Sequence, residues 1–573
     1  MGAVFSSTGG TLLLFALAVA VYLGQRAIRP KPLAGIPYNR DGAARLFGDV
    51  PEMMGFVMKT GQVFGWLTSL TERHQSPIVQ AFVKPGSLPW VVLTDPHESQ
   101  DILLRRTREF DRSGFFGELI GGILPEQHIQ FLSGDARFKN NRNLINHLMA
   151  PTFIATVSGP ETYKSILTLL KVWQAKCALA EGRPFSAHRD VTYAALDGIF
   201  ASSFGLPEAD GNTIRRLEAV ERWTPPELLP ADRDAPVPFP EGEVPLLFSS
   251  VLTLANSVTD TQLSPAPVLT SWVLRKLPYM VRATAVKDGY IRDKVRESER
   301  FIDQGVTQPQ SALHSVLLRE KEVAAKEGRP HDYYKRAIAD EFFGFMMAGH
   351  DTSATAVAWG LKFLTENPAA QDRLRAALRG GYAAAAREGR APTYEELVKT
   401  QIPYLDAAVE EILRHANTIA FVVREALVDT TVLGRHIPKG TNVFLMANGA
   451  GYLKPALRVG DGERSPGARR GEGKSLSGVW DDRDVSTFRP ERWLREEDGS
   501  FDPQAGPQLA FGLGPRGCFG RRLAMVTLKM QFALIVWHFK LLPTPPELSG
   551  REAVQRFALE PKQCYVRLEK ADA

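Results

Sequence analysis

Ten residues near the C-terminus, Phe511-Gly512-Leu513-Gly514-Pro515-Arg516-Gly517-Cys518-Phe519-Gly520, constrain this chain more than any other part of it. The cysteine lies among glycines and is followed at once by an apolar helical pattern from Arg521 to Trp537. Its sulfur is therefore expected at a helix N-terminus, where partial positive charge and unpaired N–H groups favour the thiolate and tune it by hydrogen bonding. The glycines let the backbone approach a flat cofactor, and Arg516 offers a fixed positive charge suited to a propionate. Together these features fit a haem held by Cys518.

Gly512, Gly514 and Gly517 also spell G-x-G-x-x-G, the dinucleotide pattern. Its context is wrong: no clear strand leads into it, and no acidic residue occurs between Cys518 and Glu547, where a ribose-binding acid belongs about 20 residues on. A solitary cysteine is more often a small core hydrophobe, a reading that the ten residues around Cys518 reverse. Three widely spaced cysteines form no disulfide framework and point to a reducing compartment.

With 44% hydrophobic and 23% charged residues the chain can bury a sizeable core, which excludes wholesale disorder. Its net charge of +5 is small and dispersed, so nucleic-acid binding is not expected. No charge occurs from Met1 to Gly24, and residues 4–23 give about 20 positions, roughly 30 Å of helix, enough for one membrane span. Arg26, Arg29 and Lys31 follow, placing the bulk of the chain on the cytosolic side. A cleaved signal peptide fits less well, because no basic residue precedes the apolar run and its cleavage-like sites lie inside it. The expected organisation is an anchor at 1–28, a proline-rich hinge at 29–40 and one catalytic domain at 41–573. Residues 78–83 and 90–94 read as a hairpin around Pro85-Gly86, and most of the rest is helical. The proline-rich stretch 224–245 and the Gly-, Arg- and Ser-rich stretch 454–478 read as insertions or flexible loops.

The pattern Phe511, Gly514, Arg516, Cys518, Gly520 resembles the haem-binding signature of the cytochrome P-450 family. That resemblance implies a mainly α fold with small β sheets, and three further segments extend it. Ala348-Gly349-His350-Asp351-Thr352-Ser353 lies in a long apolar stretch, residues 334–364, that resembles the family's central helix over the haem. A threonine hydroxyl there can bond the carbonyl four residues back, at Ala348, and with Gly349 beside it is expected to open the helix locally into a gap that holds water. Taken alone, such small residues more often mark close helix packing. Glu411-Ile412-Leu413-Arg414 and Phe488-Arg489-Pro490-Glu491-Arg492-Trp493 resemble the family's structural network, in which Glu411, Arg414 and Arg492 would join; Trp493 stands for the commoner Phe and is expected to change little. Phe138-Lys139-Asn140-Asn141-Arg142 is the counterpart of a Trp-x-x-x-Arg segment, so Arg142 is expected at a haem propionate although the Trp is missing. Arg424 is a further propionate candidate. Taken singly, each arginine is as well explained by solvent exposure.

The resemblance implies a monooxygenase using haem b and O2, with one oxygen atom entering an organic substrate and the other leaving as water. Thiolate ligation favours O–O cleavage, and Asp351 and Thr352 would deliver protons through ordered water. No flavin domain, ferredoxin-like cysteine cluster or nicotinamide fold is visible, so electrons from NADPH imply a separate NADPH-cytochrome reductase, with cytochrome b5 as an optional second donor. The apolar run Phe115, Phe116, Leu119, Ile120, Ile123 and Leu124 reads equally as a pocket lid or as ordinary core. With the anchor it suggests a lipophilic substrate at the endoplasmic reticulum membrane, in the style of fungal secondary-metabolism or detoxifying members. A same-fold isomerase, dehydratase or peroxygenase would need no reductase, and a non-catalytic haem sensor would need no proton-relay helix.

Overall fold

In the computed structural model, residues 7–224, 229–469 and 477–571 are described. They form two compact units: one from the chain up to Asp111 with Phe421–Gly451 and the segment from Ala456, the other from Arg112–Ala420, Tyr452–Pro455 and the C-terminal part.

The first unit carries a mixed sheet. Strands β1 (Ile78–Ala81) and β2 (Trp90–Leu93) form the expected hairpin, pairing antiparallel with Ile78 opposite Leu93. Gly86 turns the chain at φ +72°, a conformation side-chain-bearing residues rarely adopt. Strands β3 (Phe110–Arg112), β4 (Phe421–Ala426) and β5 (Asn442–Met446) complete the order β1-β2-β5-β4-β3, with β2 and β5 parallel. The proline-rich segment is tied to this sheet: the Gln80 amide donates to Leu33 and Ile36 carbonyls and accepts from Leu33 N–H. The described part of the 454–478 stretch is likewise anchored, not loose. Arg464 pairs with Asp95 at 2.7 Å, and Ser465 N–H donates to buried Glu98.

The expected anchor forms helix α1 (Ser7–Ile28). Residues 1–6, and the side chains of 7–12, lie outside the described residues. Among the described residues no helix is long and apolar enough to cross a membrane, so the expected transmembrane span is not supported; the described side chains of α1 are largely exposed.

The second unit is helical. Helices α2 (Ala136–Ile145), α3 (Gly159–Ala180), α4 (His188–Phe204), α5 (Arg336–Glu366), α6 (Pro403–Ala416) and α7 (Arg521–His538) position the site. Helix α5 is apolar around nearly its whole circumference, as a helix surrounded by protein must be, and packs on α4, α6 and α7. A Cβ on Gly360 would fall 2.2 Å from the Phe532 ring, so glycine is what lets α5 and α7 approach this closely. Helix α6 starts on Pro403 and stops at Asn417, which takes a left-handed conformation while its amide donates to the Arg414 carbonyl. The core around Trp173, Val357, Leu361, Ile412, Phe532 and Ile535 is continuous across these helices. Part of the 224–245 stretch docks as well, Val237 being buried with its N–H on the Pro184 carbonyl.

Candidate haem-thiolate site

The cysteine loop is fixed by its own backbone. Gly512 and Gly514 take positive φ of 58° and 71°, Gly514–Arg516 makes one 3-10 turn, and Cys518 N–H closes the loop onto the Phe511 carbonyl at 2.7 Å. The backbone N–H groups of Gly520 and Arg521, at the start of α7, donate to the sulfur, and the charges of Arg521 and Arg142 also favour the thiolate. Burial outweighs them and lifts the Cys518 thiol above its ordinary value, although the helix terminus favours the thiolate as expected. Cys518 nonetheless has exposed surface. Accessible area on a desolvated group describes a concave wall, and a metal ion deprotonates a coordinating thiol outright. Cys564, by contrast, is fully buried and pushed up to about 12, and Cys177 donates to the Leu568 carbonyl, so neither offers a free sulfur to a ligand.

Cations gather beside the cysteine. Arg142, in the last turn of α2, is near enough for the Cys518 charge to act on it, and its guanidinium lies 5.6 Å from the Phe519 ring centre and 5.8 Å from that of Phe138. Tertiary structure thus brings the motif lacking its Trp to the site. The Arg516 guanidinium lies 3.9 Å from the Phe138 ring centre and donates to the carbonyls of Ile129 and Phe131. Sequence reading missed His128, whose ring packs edge-on against Phe519 and beside Phe138. No sequence motif marks it, because its partner Glu341 is distant in the chain.

In α5, Ala348 is exposed and Gly349, Asp351 and Thr352 are partly exposed, while their helical neighbours Met346, Met347, His350 and Ser353 are buried. This opening falls on the residues expected to carry proton transfer. Thr352 Oγ1 donates to the Ala348 carbonyl at 2.7 Å, the predicted bond, but the helix stays continuous there, so the expected local gap is corrected to a bond made within regular helix. A Cβ on Gly349 would lie 2.9 Å from Ile199 of α4, so packing also selects glycine. The charge of Asp351 acts on His188 and on Glu560, which lie 3.4 Å apart. Burial pushes the Glu560 carboxyl up to about 7; Arg556 opposes this and Asp351 adds to it. Five of the six apolar residues weighed as lid or core are buried: Phe115, Leu119, Ile120, Ile123 and Leu124.

The structural network closes around Glu411. Its carboxylate takes Arg414 at 2.8 and 2.9 Å, Arg492 at 3.1 Å and the Arg489 N–H at 2.9 Å. Burial would raise this carboxyl, but the Arg414 and His415 contacts hold it well below the usual range. The indole N–H of Trp493 donates to Glu411 Oε2 at 2.9 Å, so the replacement expected to change little supplies a bond no Phe could make. Arg424 belongs to the other unit, buried on β4, with Nη1 donating to the Val423 carbonyl.

A sulfur with backbone donors, a concave accessible wall and adjacent guanidinium groups fit a haem held through Cys518, so fold and site define a haem-thiolate protein. The cytochrome P450 family model matches residues 53–452 and 479–567. Cytochrome P450 monooxygenase TRI13 of Fusarium sporotrichioides is 36% identical over 98% of this chain and 99% of its own, and cytochrome P450 monooxygenase GME11363 of Pestalotiopsis microspora is similar to the same extent. The crystal structure of a cytochrome P450, CYP102L1, superposes with a TM-score of 0.67 at 18% identity over 95% of this chain and 100% of that one, a likeness of fold. The chain belongs to the cytochrome P450 family. It is an oxidoreductase, a monooxygenase with a haem-iron cofactor that uses O2, a redox partner and a small-molecule substrate.

Proposed function

We propose that this enzyme oxygenates a lipophilic small molecule of fungal secondary metabolism, with electrons from NADPH delivered by a separate NADPH-cytochrome reductase. Cytochrome b5 is a compatible second donor. The observation that carries the reading is the accessible patch on α5, where Asp351 and Thr352 are partly exposed within an otherwise buried stretch. A binding protein without turnover has no need to leave a carboxylate and a hydroxyl accessible there.

The residues divide the work. Cys518 would ligate the iron, and Arg142 and Arg516 would hold the propionates; Phe511, Gly514 and Gly520 shape the loop. When bound, the haem supplies the O2 chemistry that the polypeptide cannot. The Thr352 proton is committed to the Ala348 carbonyl, which leaves its oxygen lone pairs to hold a water and orient that water's protons. Asp351, the neighbouring carboxylate, would pass protons to that water. Glu411, Arg414 and Arg492 keep the polypeptide behind the cysteine in place.

We assign the protein to the cytosolic face of the endoplasmic reticulum membrane. The exposed apolar side chains Leu13, Leu14, Phe15, Leu17 and Tyr22, with Arg26, Arg29 and Lys31 after them, support an association of α1 with the bilayer. The test is product analysis of the full chain with reductase and NADPH over a panel of terpenoid, polyketide and fatty-acid compounds. NADPH- and reductase-dependent gain of one oxygen atom is expected. Turnover without a reductase, or rearrangement without oxygen gain, would remove this reading in favour of a same-fold isomerase or peroxygenase.

A further inference from the structure

His128 is held as no core histidine needs to be. Its backbone N–H donates to Glu341 Oε1 at 2.6 Å and its Nδ1 meets Glu341 Oε2 at 2.7 Å, so both oxygens of one buried α5 carboxylate are spent on this one residue. The ring is thereby locked, and among the described residues Nε2 makes no hydrogen bond. That locked ring lies 5.8 Å, edge-on, from the ring of Phe519, the residue after Cys518, and 6.0 Å from Phe138. Arg142 lies beside both of these rings and Arg516 over that of Phe138. Three nitrogen-bearing side chains thus converge on a pair of phenylalanines beside the cysteine, and Phe138 itself has no polar hydrogen to offer.

We propose that His128 is a haem-binding residue, donating from Nε2 to a haem carboxylate alongside Arg142 and Arg516, and that Glu341 is the positioning residue that sets its ring. The proposal rests on the reading that Arg142 and Arg516 face those carboxylates. With Nδ1 held by Glu341, Nε2 is the ring nitrogen left to meet a haem carboxylate. The arrangement explains why a carboxylate on the central helix reaches into the segment preceding α2, and how the chain dispenses with a donor at position 138.

The test is transfer of haem from the full-length holoprotein to excess apomyoglobin, together with the reduction midpoint of the bound haem. His128→Leu is expected to speed haem loss about tenfold, the loss of one charge-assisted hydrogen bond, and to lower the midpoint. His128→Gln, which keeps an N–H donor, should recover most of both, a rescue that a purely structural role would not show. Because His128→Leu strands a buried carboxylate, the double variant His128→Leu, Glu341→Leu serves if the single one does not fold, and it should lose haem equally fast. Arg142→Ala is the control on the underlying reading. Haem loss accelerated in Arg142→Ala but unchanged in the His128 variants would overturn the proposal and leave that reading intact. Unchanged loss in both would remove the two together.

Discussion

The indole N–H of Trp493 donates to Glu411 Oε2 at 2.9 Å, a bond between two buried residues far apart in the chain. Glu411 carries a charge in the protein interior, and such a charge is tolerated only while donors surround it. Trp493→Phe keeps most of the apolar volume, including the packing on Trp480 at 4.9 Å, and removes one donor. The expected cost is about 1–3 kcal/mol of stability with haem content retained, read by denaturant melts and the haem-to-protein ratio. A larger loss with haem released would mean that the network also governs cofactor binding.

Replacing the sulfur gives the sharpest test of the cofactor site. In the reduced protein with carbon monoxide, the wild type should show the long-wavelength band of thiolate-ligated haem, and Cys518→Ser should lose both that band and activity. Cys177→Ser and Cys564→Ser should keep both, since one thiol is bonded to a carbonyl and the other is buried. A histidine-like spectrum in folded wild-type protein would refute the assignment.

Thr352→Ala deletes the hydroxyl that bonds Ala348. The variant should fold and bind haem and substrate, but product formed per NADPH should fall severalfold while hydrogen peroxide rises. The change removes the acceptor oxygen that holds and orients the relay water, and a second water can partly replace it. Asp351→Asn should slow turnover more than it uncouples, because it keeps a polar group but cannot carry the proton. Assays of NADPH, peroxide and product decide between them; unchanged coupling in Thr352→Ala would reduce Thr352 to a packing residue.

Glu560 predicts a pH dependence of stability. Its folded-state value of about 7 lies above the ordinary carboxyl value, so the native state binds this proton more tightly than the unfolded chain does. The resulting stabilisation is complete below about pH 4.5 and lost as pH rises through 7, at most about 3 kcal/mol. His188 runs the other way, since burial lowers it and stability is lost as pH falls below its unfolded value. Comparing melts of wild type and Glu560→Gln at pH 5 and 8 isolates the carboxyl: the variant should gain on the wild type as pH rises. An equal pH slope in both would show that Glu560 titrates normally.

Sequence by itself determined what is written in contiguous residues. The loop at Cys518 sets its own backbone through glycines at fixed offsets, and α7 declares itself by its apolar period. The Thr352–Ala348 bond spans four residues of one helix, so all of these were legible before any folding was considered. Tertiary structure decided whatever depends on burial or on distant partners. It set the Cys518 thiol above its ordinary value, because desolvation comes from the whole surround and not from the helix terminus beside it. It brought Arg142 to the sulfur despite the missing Trp, and it turned Trp493 from a neutral replacement into a donor to Glu411. It also locked His128 onto Glu341, more than 200 positions away. Local motifs fix local geometry through short-range sterics and hydrogen bonds. Charge state and long-range pairing are fixed only when the chain closes on itself and water leaves.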